Sequence, residues 1–263
     1  MSDDSPRIHP TAVVDPRAEL GAGVEVGAYA WIGGGVKIGT GCIVQHHATV
    51  SGKTRMGSDN LVYPYAFVGG RTHDMKFKGG EPGLVIGDRN TFREYVTVHE
   101  ATGDGADTVL GNDNLILAYS HIAHDCRVGN HLIMSSHSAL GGHVVVEDHV
   151  NIGWGSGVHQ FCRLGEYAML GAMSKQVHDL MPFMISEGNP ASIRMVNRVG
   201  LERGGFGAEE IGEIQHIFRI VFRDGHNRTQ ALGKLEEAIS RAAHPERWQR
   251  AISFIEGSKR GVA

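Results

Sequence analysis

An apolar residue recurs at every sixth position along most of this chain. The run begins Ile8, Val14, Leu20, Val26, Ile32, Ile38, Val44, Val50, Met56, Val62, Val68. It returns at Ile86, Phe92 and Val98, then holds from Leu110 to Leu170. Gly often follows, as in Leu20-Gly21, Ile38-Gly39 and Val128-Gly129. A helix repeats near 3.6 residues and a plain strand near 2, so neither sustains a strict six. A hexapeptide repeat builds a parallel β-helix. Each unit supplies a short strand and a bend, and three units close a triangular coil of about eighteen residues whose stacked copies bury the apolar column.

Two polar, glycine-bearing segments break the beat, one near 74–85 and one near 100–109. Loops thrown out from a rigid stack often carry binding residues. The beat stops after Leu170. From about Phe206 the spacing turns helical: Ile211, Ile214, Ile217, Phe218, Val221 and Phe222, then Leu232, Leu235 and Ala238 after Gly225, then Trp248, Ile252 and Ile255. The expected organisation is a β-helix over 1–190 and a helical domain over 191–263. A formal charge of −4 argues against a nucleic-acid protein held by net electrostatics. Three cysteines without a CxxC argue against a disulfide framework or a zinc ribbon. The start, MSDDSPRIHPTAVV, has no apolar core and the chain has no long apolar run, so a cytoplasmic protein without a signal peptide or membrane span is expected.

The densest chemical signal lies between His121 and His159: HIAHDC at 121–126, GGH at 141–143, GVHQFC at 157–162. Eighteen-residue steps put His124, Gly142 and Gln160 in one column, with His143 and His159 one residue off it. His121, His124, His143 and His159 therefore gather at one edge of adjacent coils. Such a cluster suits a general base beside backbone N–H groups. Clustered histidines could instead hold zinc, as in β-helical carbonic anhydrases. Those share only the beat with this chain, and a spacing of three on a strand points His121 and His124 to opposite sides unless a bend intervenes.

HIAHDC, GGHV, GVHQFC and GNPA at 188–191 together resemble the bacterial UDP-N-acetylglucosamine O-acyltransferases. The likeness extends over the IHPTAVV opening, the loop with Asp74 and Lys76, REYVTVH at 93–99 and the tail. It implies a left-handed β-helix, a homotrimer with sites between subunits, and transfer of a 3-hydroxyacyl chain from acyl carrier protein to the sugar 3-hydroxyl, the first step of lipid A synthesis. His124 matches the family's general base, Asp125 the residue orienting it, and Gly142 the backbone N–H donor to the oxyanion. The His124–Asp125 pairing needs a bend, since strand neighbours point apart. The likeness makes Asp74, Lys76, His99, His121, His143, His159, Gln160, Asn197 and Arg203 substrate-binding positions and Ala172 the determinant of acyl length, here medium to long. No metal or organic cofactor is implied, and no nucleic acid.

The chain departs from the family pattern at RTHDMKF around Asp74, at Glu100, Val199 and Gly204, and at Trp154, which could narrow a cleft or pack outside. The leading alternative is N-acylation of a 3-amino analogue of the UDP-sugar, since the same base and groove would serve either nucleophile. The usual amide-forming relatives carry an extra N-terminal uridine-binding domain, for which a beat starting at Ile8 leaves no space. A non-catalytic scaffold and a zinc carbonic anhydrase are more distant readings.

Overall fold

The structure is a computed structural model and describes residues 5–262; Met1–Asp4, part of the acidic start, and Ala263 lie outside it. Strands of mostly two residues pass in turn to three sheets, which form the faces of a triangular prism. The first face has eleven strands and starts at Arg7–Ile8; the second has nine and starts at Val13–Val14; the third has eight and starts at Glu19–Leu20. Pairing is parallel, with Arg7 opposite Glu25, Val13 opposite Trp31 and Glu19 opposite Lys37. Residues eighteen apart thus stack, as the beat requires, and the whole is a left-handed parallel β-helix.

From Val26 to Leu170 the beat residues are buried. Ile8 is 46% exposed, on the outermost described strand of the first face. The column does not end at Leu170. Lys175–Gln176 forms another strand, and Gln176 occupies the inward position with no exposure. Its amide satisfies itself there, donating to His178 O and accepting from Ser186 Oγ. A buried polar group is tolerated when bonded in this way. Strands Met184–Gly188 and Ala191–Val196 then close the first face as an antiparallel hairpin.

The interruptions enlarge two coils without breaking the stack. Leu61 pairs with Thr91 and Leu84 with Thr54, thirty residues apart, and Thr97 pairs with His121 across twenty-four; Leu115 and Ile133 are again eighteen apart. Strands resume at Gly83 and Asp107, earlier than the beat alone suggests, because Gly83–Val85 already pairs with Asp107–Val109. The loops therefore occupy 71–82 and 100–106.

Most corners from Gly23 onward hold one residue in the left-handed region. Many are rings rather than glycines: Tyr29, His47, Tyr65, Tyr95, Tyr119 and His137 on the edge between the first and second faces, with φ between 58° and 63°. An L side chain disfavours this conformation. Coil stacking offers compensation, since strands lie about 4.8 Å apart and rings one coil apart can stack. Tyr65, Tyr95, Tyr119 and His137 stack nearly parallel at centroid distances of 5.1, 4.8 and 4.9 Å.

The tail opens with Ala191–Val196 and continues as helices α1 (Arg198–Arg203), α2 (Ala208–Phe222), α3 (Arg228–Ile239) and α4 (Pro245–Gly257). The three apolar stripes read in the sequence are α2, α3 and α4; the short α1 carries no such stripe. Arg250 of α4 ties the tail to the prism by bonding Glu166 at 3.0 Å and also Glu147, which Arg163 holds at 2.9 Å. Buried Asp179 accepts from Ser258 at 2.7 Å. The three cysteines are free and buried.

Candidate functional site

One prism edge, where the second face turns into the third, carries the chemistry. The corner between strands His121–Ile122 and Arg127–Val128 holds His124 and Asp125. One coil on, the corner after Ala139–Leu140 holds Gly142 and His143; another coil on, His159 and Gln160 follow Gly157–Val158. Loops 71–82 and 100–106 leave the same edge two coils and one coil earlier, respectively.

The bend that the His124–Asp125 pairing demands is present: Asp125 has φ 60°, in the left-handed region. That corner swings its carboxylate back, and Asp125 Oδ2 lies 2.7 Å from His124 Nδ1. With Nδ1 donating to Asp125, Nε2 keeps its lone pair. Burial pushes the Asp125 carboxyl up, but hydrogen bonds from His124 and Thr102 and the nearby His143 outweigh it and hold the group below its ordinary value. Asp125 is thus an anion that can support positive charge on the ring.

Gly142 packs against that ring. A Cβ built there would lie 2.5 Å from His124 Cε1 and 2.7 Å from Nε2, so glycine is required by close approach and not by φ. Among the described residues the Gly142 N–H finds no acceptor. His143 Nε2 is 3.7 Å from Asp125 Oδ2, and the His143 ring stacks on Phe161 at 4.6 Å.

Sequence reasoning missed a threonine relay. Thr102, in the second loop, donates its backbone N–H to Asp125 and sets its hydroxyl 3.1 Å from His124 Nδ1. The same hydroxyl is 2.8 Å from Thr72 Oγ1 of the first loop, which accepts from the Asp74 N–H. Thr108 Oγ1 accepts from the Asp125 N–H at 2.8 Å. Threonines in polar loops carry no signal by composition; only their loops' exit from the His124 edge could have marked them.

A second histidine group borders the first. His99 is 3% exposed, faces His73 edge-on at 4.0 Å and His121 at 4.9 Å, and its Nδ1 is buried without a partner. Burial, reinforced by His121, His73 and His124, lowers its pKa to about 4; burial with His73 and His124 lowers that of His121 as well. His121 Nδ1 lies 2.8 Å from Thr97 Oγ1. These two rings form a neutral polar wall. Asp74 joins the site closely: one donor atom each from Asp74, His124 and His143 lie within 4.8 Å of one another. Lys76 is exposed on the same loop, its N–H donating to Asp74 Oδ1. His159 and Gln160 are exposed farther along the edge.

Within one chain the remaining candidates lie elsewhere. Ala172 sits on the edge between the first and second faces, between Met169–Leu170 and Lys175–Gln176. Asn197 caps α1, accepting from Gly200 N and donating to Tyr167 O. Arg203 ends α1, exposed. The departures have local reasons. A Cβ at Gly204 would come within 2.5 Å of the Tyr167 ring. Glu100 is buried and accepts from the Lys53 N–H, and burial raises its pKa. Trp154 packs outside, 51% exposed, its ring 5.8 Å from His137 and on a different edge from His124. Val199 is exposed, and nothing in the structure explains it.

The sequence profile described as UDP N-acetylglucosamine O-acyltransferase, domain 2, matches residues 179–263. The acyl-[acyl-carrier-protein]–UDP-N-acetylglucosamine O-acyltransferase of Stenotrophomonas maltophilia (strain R551-3) is 45% identical over 262 residues, covering 99% of this chain and 98% of that one. Among solved structures, LpxA from Acinetobacter baumannii superposes with a TM-score of 0.93 at 37% identity, over 97% of this chain and 99% of its own. UDP-N-acetylglucosamine O-acyltransferase from Moraxella catarrhalis RH4 gives 0.91 at 35% identity, over 97% and 98%. Full-length likeness at this identity, on the same coiled frame, means that the chain belongs to the acyl-[acyl-carrier-protein]–UDP-N-acetylglucosamine O-acyltransferase family.

Proposed function

We propose that this chain transfers a 3-hydroxyacyl group from acyl carrier protein to the 3-hydroxyl of UDP-N-acetylglucosamine, with His124 as general base. The observation that carries the mechanism is the 2.7 Å His124–Asp125 pair with Gly142 packed against its ring. The sugar oxygen attacks the thioester carbonyl carbon while His124 Nε2 takes the hydroxyl proton. The carbonyl oxygen becomes an oxyanion, and the free N–H of Gly142 is the donor we assign to it. Collapse re-forms the carbonyl and expels the thiolate of the carrier arm, which takes the proton from the imidazolium. Asp125 fixes the tautomer and balances the transient ring charge. Asp74, Lys76, His99, His121, His143, His159 and Gln160 contact the acceptor and the carrier arm along the same edge.

Asn197 and Arg203 bind the nucleotide side, and Ala172 limits the acyl groove. All three lie off the His124 edge, so they reach a shared site only across neighbouring subunits. A homotrimer supplies that arrangement. Supporting it, the second face exposes Val13, Trp31 and Phe67 in one outward row, which Thr97 and His121 continue toward the site. Apolar rows of this kind are covered by partners. Residues 1–190 serve as the catalytic body and 191–263 as the tail, and a cytoplasmic location fits the substrates. Among the described residues no helix is long and apolar enough to cross a membrane.

The test is incubation with UDP-N-acetylglucosamine and a ladder of 3-hydroxyacyl–acyl carrier proteins, with mass spectrometry of the nucleotide sugar. A singly acylated product that disappears in His124→Ala is expected. No product with any donor sinks the reading, and product only from the 3-amino acceptor replaces it with N-acylation.

A further inference from the structure

We infer that the Asp74, His124 and His143 side chains form a capture site for a divalent transition-metal ion of the zinc class, which competes with the acceptor for the base. Nothing in the proposed reaction uses a metal, so this is an inhibitory site. Its inhibitory sense rests on the reading of His124 as base; its existence rests on the geometry alone.

One donor atom from each of the three side chains lies within 4.8 Å of the other two. A tetrahedral zinc ion with ligands at about 2.0–2.1 Å needs donors roughly 3.4 Å apart. Closing the difference takes small side-chain rotations, and all three groups are half-buried rather than locked in the core. The donor set, two imidazoles and a carboxylate with a fourth position open, is one that zinc accepts. His124 is also prepared as metal-ligating histidines are. Its Nδ1 is held 2.7 Å from Asp125 Oδ2, which fixes the ring and leaves Nε2 as the more basic donor for a ligand. One Asp74 oxygen accepts from the Lys76 N–H, which orients the carboxylate and leaves the other oxygen open. The imidazole nitrogen that would take the sugar proton cannot also bind a metal. Occupation therefore stops proton transfer and displaces the acceptor from the His143 side of the site.

A second group of similar composition, Glu210, His244 and Glu246, lies in the tail and serves as the internal control. The full chain, stripped with chelator, is titrated with Zn²⁺ alone and separately with Co²⁺, whose visible absorption reports tetrahedral coordination. Bound zinc is counted after equilibrium dialysis. The expected result is one tightly bound ion per chain with a tetrahedral Co²⁺ spectrum. That ion is lost in Asp74→Asn and in His143→Gln, kept in His244→Gln, and displaced by UDP-N-acetylglucosamine. Asp74 stands on a loop outside the coils, so Asp74→Asn tests the site without disturbing the stack. Retention of the ion in both Asp74→Asn and His143→Gln, or no tight binding to the parent chain, overturns the inference. Binding is read without turnover, so it is independent of whether acyl transfer occurs. Acyl transfer measured in excess chelator likewise tests the proposed function without reference to metal.

Discussion

Gly142→Ala is the sharpest perturbation the structure offers. The added methyl would stand 2.5 Å from His124 Cε1, 2.7 Å from Nε2 and 3.2 Å from Nδ1. Carbon atoms in contact rest at about 3.5–4.0 Å, so either the ring or the backbone must yield by about 1 Å. The ring is the softer partner, because it turns about side-chain torsions while the Gly142 carbonyl is bonded to the next coil through Phe161 N. A displacement of about 1 Å in a catalytic group can cost about 100-fold in rate, equivalent to about 2.7 kcal/mol of activation free energy. Folding should scarcely notice. Gly142 is not in the left-handed region, so alanine fits its backbone, and reduced freedom of the unfolded chain contributes about 0.4–1 kcal/mol against the clash.

The assay is kcat/KM for acyl transfer beside thermal unfolding, with Gly212→Ala as the comparison. Gly212 is exposed in α2, and a Cβ there meets nothing within 4 Å. That variant should keep full activity and gain about 1 kcal/mol in stability from helix propensity. Gly142→Ala should lose about two orders of magnitude in kcat/KM while its stability stays within about 1 kcal/mol of the parent. Undiminished activity in Gly142→Ala would refute the packing of His124 against this glycine during turnover. A collapse in stability would mean that the coil, not the ring, absorbs the strain.

Asp125→Asn keeps a residue type that tolerates φ 60° but removes the anion behind His124, so kcat should fall by about 10²–10⁴-fold with an unchanged melting profile. Thr102→Val deletes the hydroxyl touching His124 Nδ1 and Thr72 but keeps its branched shape; kcat/KM should drop by about tenfold, and a value equal to the parent's would show that the relay is idle. Stability should depend on pH through His99. Its folded pKa, about 4, lies below the ordinary 6.5, so between these values the unfolded chain binds more protons. The His99 contribution is fully present above pH 6.5 and is lost as pH falls toward 4, at no more than about 1.4 kcal/mol per pH unit. His121 acts in the same direction. Urea unfolding of the parent and His99→Gln from pH 7 to 4.5 should show a shallower slope in the variant. Arg250→Ala leaves Glu147 and Glu166 short of a partner between tail and prism, and should cost about 1–3 kcal/mol by the same denaturation assay.

The repeat was legible because it is a direct record of packing: each buried column position must be apolar, and register follows from counting by eighteen. The arithmetic that stacked His124, Gly142 and Gln160 needed nothing more. It failed where chemistry substitutes for hydrophobicity, as at Gln176, which holds an inward position by hydrogen bonds and so hides the last strand of the second face from an apolar beat. It was silent about what borders an edge. A hexapeptide count places a residue at a corner, but the insertions at 71–82 and 100–106 determine what stands beside that corner. Once both loops leave from the same edge as His124, Thr72 and Thr102 meet across them and Thr102 reaches the Asp125 carboxylate. The coils hold His124 above Gly142 and set Asp125 beside it, while the contact that braces the Asp125 carboxylate comes from Thr102, outside the repeat. Loss of that loop contact should therefore lower activity with the β-helix intact, whereas a coil change should act either by moving the ring, as at Gly142, or by removing its anion, as at Asp125.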